Sequence, residues 1–80
     1  MTAEQLRAAR AMLRMEQSAL AAASGISVET VKRLERMEGQ LSETRVATIN
    51  ALKSALEAAG VEFIAENGGG PGVRLRKGAK

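Results

Sequence analysis

The chain has 80 residues, which is the size of one small domain, and its formal net charge is +3 at pH 7. It holds no cysteine, histidine or aspartate, which excludes disulfides and thiolate metal sites and removes the commonest general base. No run approaches the roughly 18 apolar residues of a membrane span, and Thr2, Glu4 and Gln5 near the start differ from a secretory signal, so we expect a cytoplasmic protein.

The first predicted element is a helix over about residues 3–13. Thr2 is placed to cap it, and Gln5 follows three residues later, which is the capping-box pattern. We interpret Met12 and Met15 as flexible core filler. The apolar residues that recur at helical spacing, and so predict the buried face, are Leu6, Ala9, Met12 and Leu13.

Two short helices joined by a tight turn follow. The alanine-rich segment 17–23 predicts the second helix, and Gly25 supplies the turn because glycine enters positive φ at little cost. Ser27 is placed to cap a third helix over about residues 28–37, and Gly39 marks its end.

The third helix has one apolar and one polar side. Val28, Val31 and Leu34 are spaced three apart, so the long polar and cationic side chains point outward. These outward side chains are Glu29, Lys32, Arg33 and Arg36. A helix of this kind, braced by another across a glycine turn, is typical of a helix-turn-helix DNA-binding unit.

A fourth helix is predicted to begin after Ser42, with Glu43 in its first turn, and to end at Gly60. Its apolar stripe is Val46, Ile49, Leu52 and Leu56. Alternating residues on either side of a glycine-rich segment then predict a β-hairpin, with strands at about 61–66 and 72–77. An isolated hairpin is only marginally stable in water, so it must pack on the body of the domain or on the hairpin of a second copy of the chain.

The positive charge is concentrated at the end of the chain. Four of the twelve basic residues follow residue 73, which leaves eight basic and nine acidic residues, a net charge of −1, in residues 1–73. Arg74 and Arg76 either contact DNA phosphates or keep a strand edge soluble. Charge alone therefore gives weak support for nucleic-acid binding, and the motif carries the argument.

Residues 6–35 resemble the phage Cro/repressor-type helix-turn-helix family, also called the xenobiotic-response-element type. The matching residues are Arg10, Leu13, Gln17, Leu20, Ala21, Gly25, Ile26, Ser27, Thr30, Val31, Arg33, Leu34 and Glu35. From Ala59 onward the chain is similar to small bacterial regulators of this family. The resemblance implies a mainly α fold: a four-helix, lambda-repressor-like helix-turn-helix domain over residues 1–60. A C-terminal β-hairpin and basic tail over residues 61–80 would follow, and we expect that part to dimerise.

The resemblance also implies roles for individual residues. Base edges in the major groove would face Val28, Glu29 and Arg33, while phosphates would be contacted by Gln17 and Thr30. The adjacent Lys32 would serve either purpose, and we group it with the base-reading residues. Apart from the resemblance, we also assign Arg36 to the phosphate contacts. Arg10 and Glu35 would form a structural ion pair. Two departures from the family pattern stand out: Glu16 replaces the usual serine or asparagine cap, and Gly39 lies four residues after Glu35 rather than two.

Each base-reading role has a structural alternative. Arg33 would pair with guanine O6 and N7, or would be a solvated arginine. Glu29 would accept from cytosine N4, or would favour the helix dipole. Val28 would touch a thymine methyl group, or would pack against the turn. Lys32 and Arg36 would otherwise be ordinary exposed charges.

Three functions remain open at this stage. The first is a homodimeric, sequence-specific transcriptional regulator of bacterial or phage origin, most simply a repressor. Its recognition helices would enter major grooves about 34 Å apart. The second is a protein-interaction module, such as the antitoxin of a toxin–antitoxin pair, that binds a partner through the hairpin. The third, an enzyme, is disfavoured by the missing residue types, and we expect no cofactor. The residues expected at the dimer interface are Phe63, Ile64, Val73 and Leu75.

Overall fold

The computed structural model describes residues 1–77, and within them four helices precede a two-stranded antiparallel sheet. The helices are α1 (Ala3–Leu13), α2 (Gln17–Ser24), α3 (Val28–Glu35) and α4 (Val46–Ala58). The strands are β1 (Val61–Ile64) and β2 (Gly72–Leu75). The predicted mainly α fold with a C-terminal hairpin is confirmed. The last residues of the predicted basic tail, 78–80, lie outside the described part of the chain.

Local capping determines where α1 and α3 begin. The Thr2 hydroxyl accepts a hydrogen bond from the Gln5 backbone N–H at 2.9 Å, and the Gln5 side chain accepts one from the Thr2 N–H at 2.9 Å. The Ser27 hydroxyl accepts from the Thr30 N–H at 3.2 Å. Gly25 ends α2 with φ +74°, the left-handed region that favours glycine. The predicted caps and turn are therefore confirmed.

One hydrophobic core joins all four helices to the hairpin. Its largest fully buried side chains are Leu6, Leu20, Val31, Leu34, Leu52, Leu56 and Val61. Phe63 and Val73 are opposite one another in the hairpin and pack against this core. The Gln5 side-chain amide donates to the carbonyls of Ile64 at 3.3 Å and Gly72 at 2.9 Å. The hairpin thus packs on the body of its own domain.

The fourth helix begins later than predicted, because Ser42 lies in a turn and Arg45 is the N-cap residue. The preceding segment is held by the N-terminus: the Leu41 N–H donates to the Met1 carbonyl at 3.2 Å, and Leu41 is buried. The Leu41 carbonyl then accepts from Thr44 N–H at 3.1 Å, which closes a turn where the helix was expected. Ser42 as a helix cap was therefore wrong.

Other expectations also need correction. Met12 is 40% exposed, so its assignment to the core was wrong: the last turn of α1 is only partly covered by the rest of residues 1–77. Val46 is 73% exposed, so the buried stripe of α4 starts one turn later. The helix α3 ends at Glu35, before the predicted residue 37, and both strands are shorter than predicted. None of the helices in residues 1–77 combines the length and apolar character that crossing a bilayer requires.

Candidate nucleic-acid interface

The helix α3 buries one side and exposes the other. Val31 and Leu34 are fully buried. The opposite side carries four exposed residues at positions i, i+3, i+4 and i+7, so they share one face of the helix. These residues are Glu29, Lys32, Arg33 and Arg36, and none of them forms an ion pair within residues 1–77. The exposed face therefore offers three cationic groups and one carboxylate to an external partner.

The first turn of α3 is arranged for a further contact. Val28 and Thr30 are half-buried. The Ser27 hydroxyl donates to the Thr30 hydroxyl oxygen at 3.0 Å while it accepts from the Thr30 backbone N–H. This leaves the Thr30 hydroxyl proton available to an acceptor outside the chain, such as a phosphate oxygen.

An ion pair connects α3 to the two preceding helices. The Arg10 guanidinium donates from Nε to Glu35 Oε2 at 2.6 Å and from Nη2 to Glu35 Oε1 at 2.8 Å. Its Nη1 donates to the Met15 carbonyl at 2.7 Å, just before α2, and the Gln17 side-chain amide donates to Glu35 Oε1 at 3.0 Å. The Glu35 carboxylate thus fixes α3 relative to α1 and α2, at the positions where the resemblance implied a structural pair.

The charge of this carboxylate is stabilised despite its burial. Burial would raise the pKa of Glu35, but hydrogen bonds from Arg10 and Gln17, together with the charges of Arg10 and Arg7, lower it overall. The hydrogen bond to Glu35 likewise raises the pKa of Arg10, against the effect of burial. Arg7 also donates to the backbone carbonyls of Glu35 and Met37 at the end of α3. Sequence reasoning missed this arginine because its acceptors are backbone groups about thirty residues away.

Gln17 occupies the first position of α2, where the resemblance implied a phosphate contact. One of its two side-chain N–H groups is committed to Glu35. The second, and the backbone N–H groups of the first turn, remain usable, because the N-cap residue Glu16 makes no side-chain capping bond. The beginning of α2 is thus positioned by Glu35 and still has donors for an anion.

A polar cleft of about 410 Å³ lies between α3 and the start of α4. It is lined by Thr30, Arg33, Glu43, Thr44, Arg45 and Thr48. The N-terminus of α4 meets this cleft, and its N-cap residue Arg45 also makes no side-chain capping bond. Sequence reasoning missed Thr44, Arg45 and Thr48 because the cleft is formed by segments that only the tertiary fold brings together. Because α4 was predicted to begin after Ser42, the position of Arg45 directly before the helix was not recognised.

The hairpin residues belong neither to the exposed face of α3 nor to the lining of the polar cleft. The Arg74 Nε donates to a Glu62 carboxylate oxygen at 2.8 Å, and Arg76 donates to the Glu57 carbonyl at 3.0 Å. Of the four residues expected at a dimer interface, Phe63 and Val73 pack against the core of their own chain, while Leu75 is 40% exposed. Ile64 is half-buried. A dimer interface at these residues stays a prediction.

Residues 1–77 contain no group of three or more carboxylate, imidazole or thiol side chains that could hold a metal ion. In comparisons with known proteins, a family model described as "Helix-turn-helix" matches residues 6–60, which is more than half of the chain. No curated protein matches the chain.

Proposed function

The chain belongs to the Cro/repressor-type helix-turn-helix family of DNA-binding transcription regulators, and we propose that it reads a specific duplex sequence as a homodimer and acts as a repressor. The observation that carries this proposal is the outward stripe on α3. Its charged groups form no ion pair within residues 1–77, whereas the opposite side is anchored by Leu34 and the Glu35 network. A rigidly supported helix with free polar side chains suits the major groove.

Within this proposal, base readout comes from the first two turns of α3. The Arg33 guanidinium donates two parallel hydrogen bonds to guanine O6 and N7. Glu29 lies four residues earlier on the same face and accepts from cytosine N4, while Val28 contacts a thymine methyl group. Lys32 lies between Glu29 and Arg33 along the chain and reaches an adjacent base edge.

Phosphates would be held on both sides of α3. Gln17 and the open N-terminus of α2 supply donors on one side, and Arg45 with the start of α4 supplies them on the other. Thr30 contributes its free hydroxyl proton, and Arg36 its charge. Such contacts orient the protein on the duplex without reading its sequence.

The test begins with in-vitro selection of a duplex by the wild-type protein, followed by shift assays on single-base variants of that duplex. We expect Arg33→Ala to lose about 1–3 kcal/mol of discrimination at one base pair and to keep its preferences elsewhere. Arg36→Ala is the matched control, because loss of a phosphate contact weakens all sequences alike and lowers the salt slope by about one unit. An Arg33→Ala protein with wild-type preferences at every position would refute base readout by Arg33.

The alternative function is an antitoxin that binds a partner protein through the hairpin and binds DNA for autoregulation. The supporting observation is that each strand of the two-stranded sheet has one edge without a neighbouring strand in residues 1–77, which permits strand addition. Co-purification of a stoichiometric partner from the native host would favour this function. A clean homodimer without a second protein would count against it.

A further inference from the structure

The loop that joins β1 to β2 contains a chemically reactive pair of residues. Asn67 is followed directly by Gly68, and both residues are exposed. The backbone nitrogen of the residue after an asparagine can attack the side-chain amide carbon, which makes asparagine a thermolabile residue. Gly68 has no side chain to hinder this attack, its φ is +99°, and the space where a Cβ would lie is open. The attacking nitrogen is therefore sterically accessible.

A hydrogen bond holds the side chain of Asn67 near that nitrogen. The Gly69 backbone N–H donates to Asn67 Oδ1 at 3.4 Å, which is a long hydrogen bond. It folds the side chain back over the Gly68 peptide, which lies between these two residues in the chain. A donor on the amide oxygen also stabilises the negative charge that develops there during attack. The amide carbon is thus both positioned and made more electrophilic.

The side chain of Glu66 contacts the attacking nitrogen itself. Its Oε2 accepts a hydrogen bond from the Gly68 N–H at 3.0 Å and another from the Gly70 N–H at 2.9 Å. The proton of the Gly68 N–H must leave when that nitrogen forms a new bond. A carboxylate within hydrogen-bond distance of a departing proton is placed as a general base. Glu66 also forms no ion pair within residues 1–77, so no cation competes for its oxygens.

The only other asparagine in the sequence, Asn50, lacks all of these features. It lies inside α4 and is followed by Ala51. The helix engages the Ala51 N–H in its backbone hydrogen bonds, and the Ala51 side chain adds a Cβ beside the nitrogen. Asn50 is therefore an internal control for the reactivity of Asn67.

From these contacts we infer that the folded loop promotes deamidation of Asn67. The Gly68 nitrogen bonds to the Asn67 side-chain carbon while its proton passes to Glu66. The bond from that carbon to the amide nitrogen then breaks, and ammonia leaves with the proton, so that a cyclic imide remains. Water adds to either imide carbonyl and opens the ring, which gives aspartate or isoaspartate. No oxidant or reductant is required.

The modification changes the loop next to its anchor on the domain. Each event replaces a neutral amide by a carboxylate, which lowers the formal net charge by one from +3. The isoaspartate product also inserts one extra carbon into the backbone of the loop. Ile64 and Gly72, which the loop connects, are the residues whose carbonyls accept from Gln5. We therefore expect faster amide hydrogen exchange in the hairpin of the modified protein. This inference does not depend on the proposed DNA-binding function.

The test measures deamidation of the purified full chain at neutral pH, both folded in buffer and unfolded in urea, by peptide mass spectrometry at each asparagine. An ordered backbone usually slows this reaction, because the nitrogen must swing toward the side chain. We expect the opposite at Asn67, with a faster rate in the folded protein than in the unfolded one. Asn50 should stay intact in the folded protein. A rate at Asn67 that is equal or lower in the folded protein would overturn the inference.

Two variants test the role of the carboxylate. Glu66→Gln keeps the size of the side chain and removes the base, so the folded rate should fall about tenfold while the rate in urea changes little. Glu62→Gln is the matched control, because Glu62 bonds to Arg74 in the same hairpin, and it should deamidate like the wild type. Circular dichroism would verify that both variants are folded. A Glu66→Gln protein that deamidates as fast as the wild type would reject the role of Glu66 and with it the inference.

The products give an independent check of the chemistry. Attack by the Gly68 nitrogen passes through the cyclic imide, so both aspartate and isoaspartate should form at position 67. Aspartate alone would indicate direct hydrolysis of the amide by water and would overturn the mechanism.

Discussion

Removal of Arg10 should destabilise the domain by more than the loss of an ordinary surface charge. The side chains of Arg10 and Glu35 are 23% and 6% exposed, and the guanidinium makes two hydrogen bonds to the carboxylate. In Arg10→Met, Glu35 keeps only the Gln17 amide and the more distant charge of Arg7. Breaking a buried pair from one side costs about 3–5 kcal/mol, and the partial exposure of Arg10 places our expectation at about 3 kcal/mol.

That magnitude is large for a domain of this size. A stability of roughly 0.05–0.15 kcal/mol per residue gives only about 4–12 kcal/mol in total. A loss of about 3 kcal/mol should lower the melting temperature by roughly 10–25 °C. The assay is thermal and urea unfolding followed by circular dichroism, at one protein concentration so that self-association does not alter the comparison.

The pH dependence gives the prediction a second readout. Because the folded-state pKa of Glu35 is lowered, its stabilising contribution is fully present above the unfolded pKa of about 4.3 and is lost as pH falls through the folded value. In Arg10→Met, protonation instead relieves the unpaired buried carboxylate. The difference in unfolding free energy between the two proteins should therefore be largest near neutral pH and shrink in acid.

A matched control breaks an exposed pair. Arg74→Met removes the hydrogen bond from Arg74 to Glu62, whose side chains are 67% and 40% exposed, and should cost less than about 1 kcal/mol. An Arg10→Met protein as stable as Arg74→Met, with a difference from wild type that does not change with pH, would refute the reasoning about the buried network.

Two further predictions concern the hairpin and the turn. Gln5→Leu removes the side-chain hydrogen bonds to the Ile64 and Gly72 carbonyls and to the Thr2 N–H. We therefore expect the free energy of unfolding to fall by about 2–3 kcal/mol and amide hydrogen exchange to be faster in the hairpin than in α4. Equal protection of both elements would contradict this anchoring role. Gly25→Ala places a Cβ where no atom lies within 4 Å but where φ is +74°. Unfolding measurements should therefore show that the free energy of unfolding falls by about 1–2 kcal/mol, from backbone strain alone. An unchanged stability would show that the turn relaxes.

Much of the candidate interface could be predicted because it depends on one helix. The spacing of Val31 and Leu34 determines which face of α3 is buried, and Glu29 and Arg33 then lie on the other. The polar cleft could not be predicted, because Arg45 comes near Arg33 only after the segment before α4 has folded. Its lining residues carry no periodic pattern of their own.

The sequence by itself determined the features whose partners lie within a few residues. The capping box at Thr2, the cap at Ser27 and the glycine turn at Gly25 each depend on neighbours that are local in the chain.

Only the tertiary structure decided the features whose partners are distant. The Leu41 N–H donates to the Met1 carbonyl in the segment before α4, and Gln5 anchors a hairpin about sixty residues away. A side chain's local pattern cannot reveal such partners, because its burial and bonding depend on which remote segment folding brings against it.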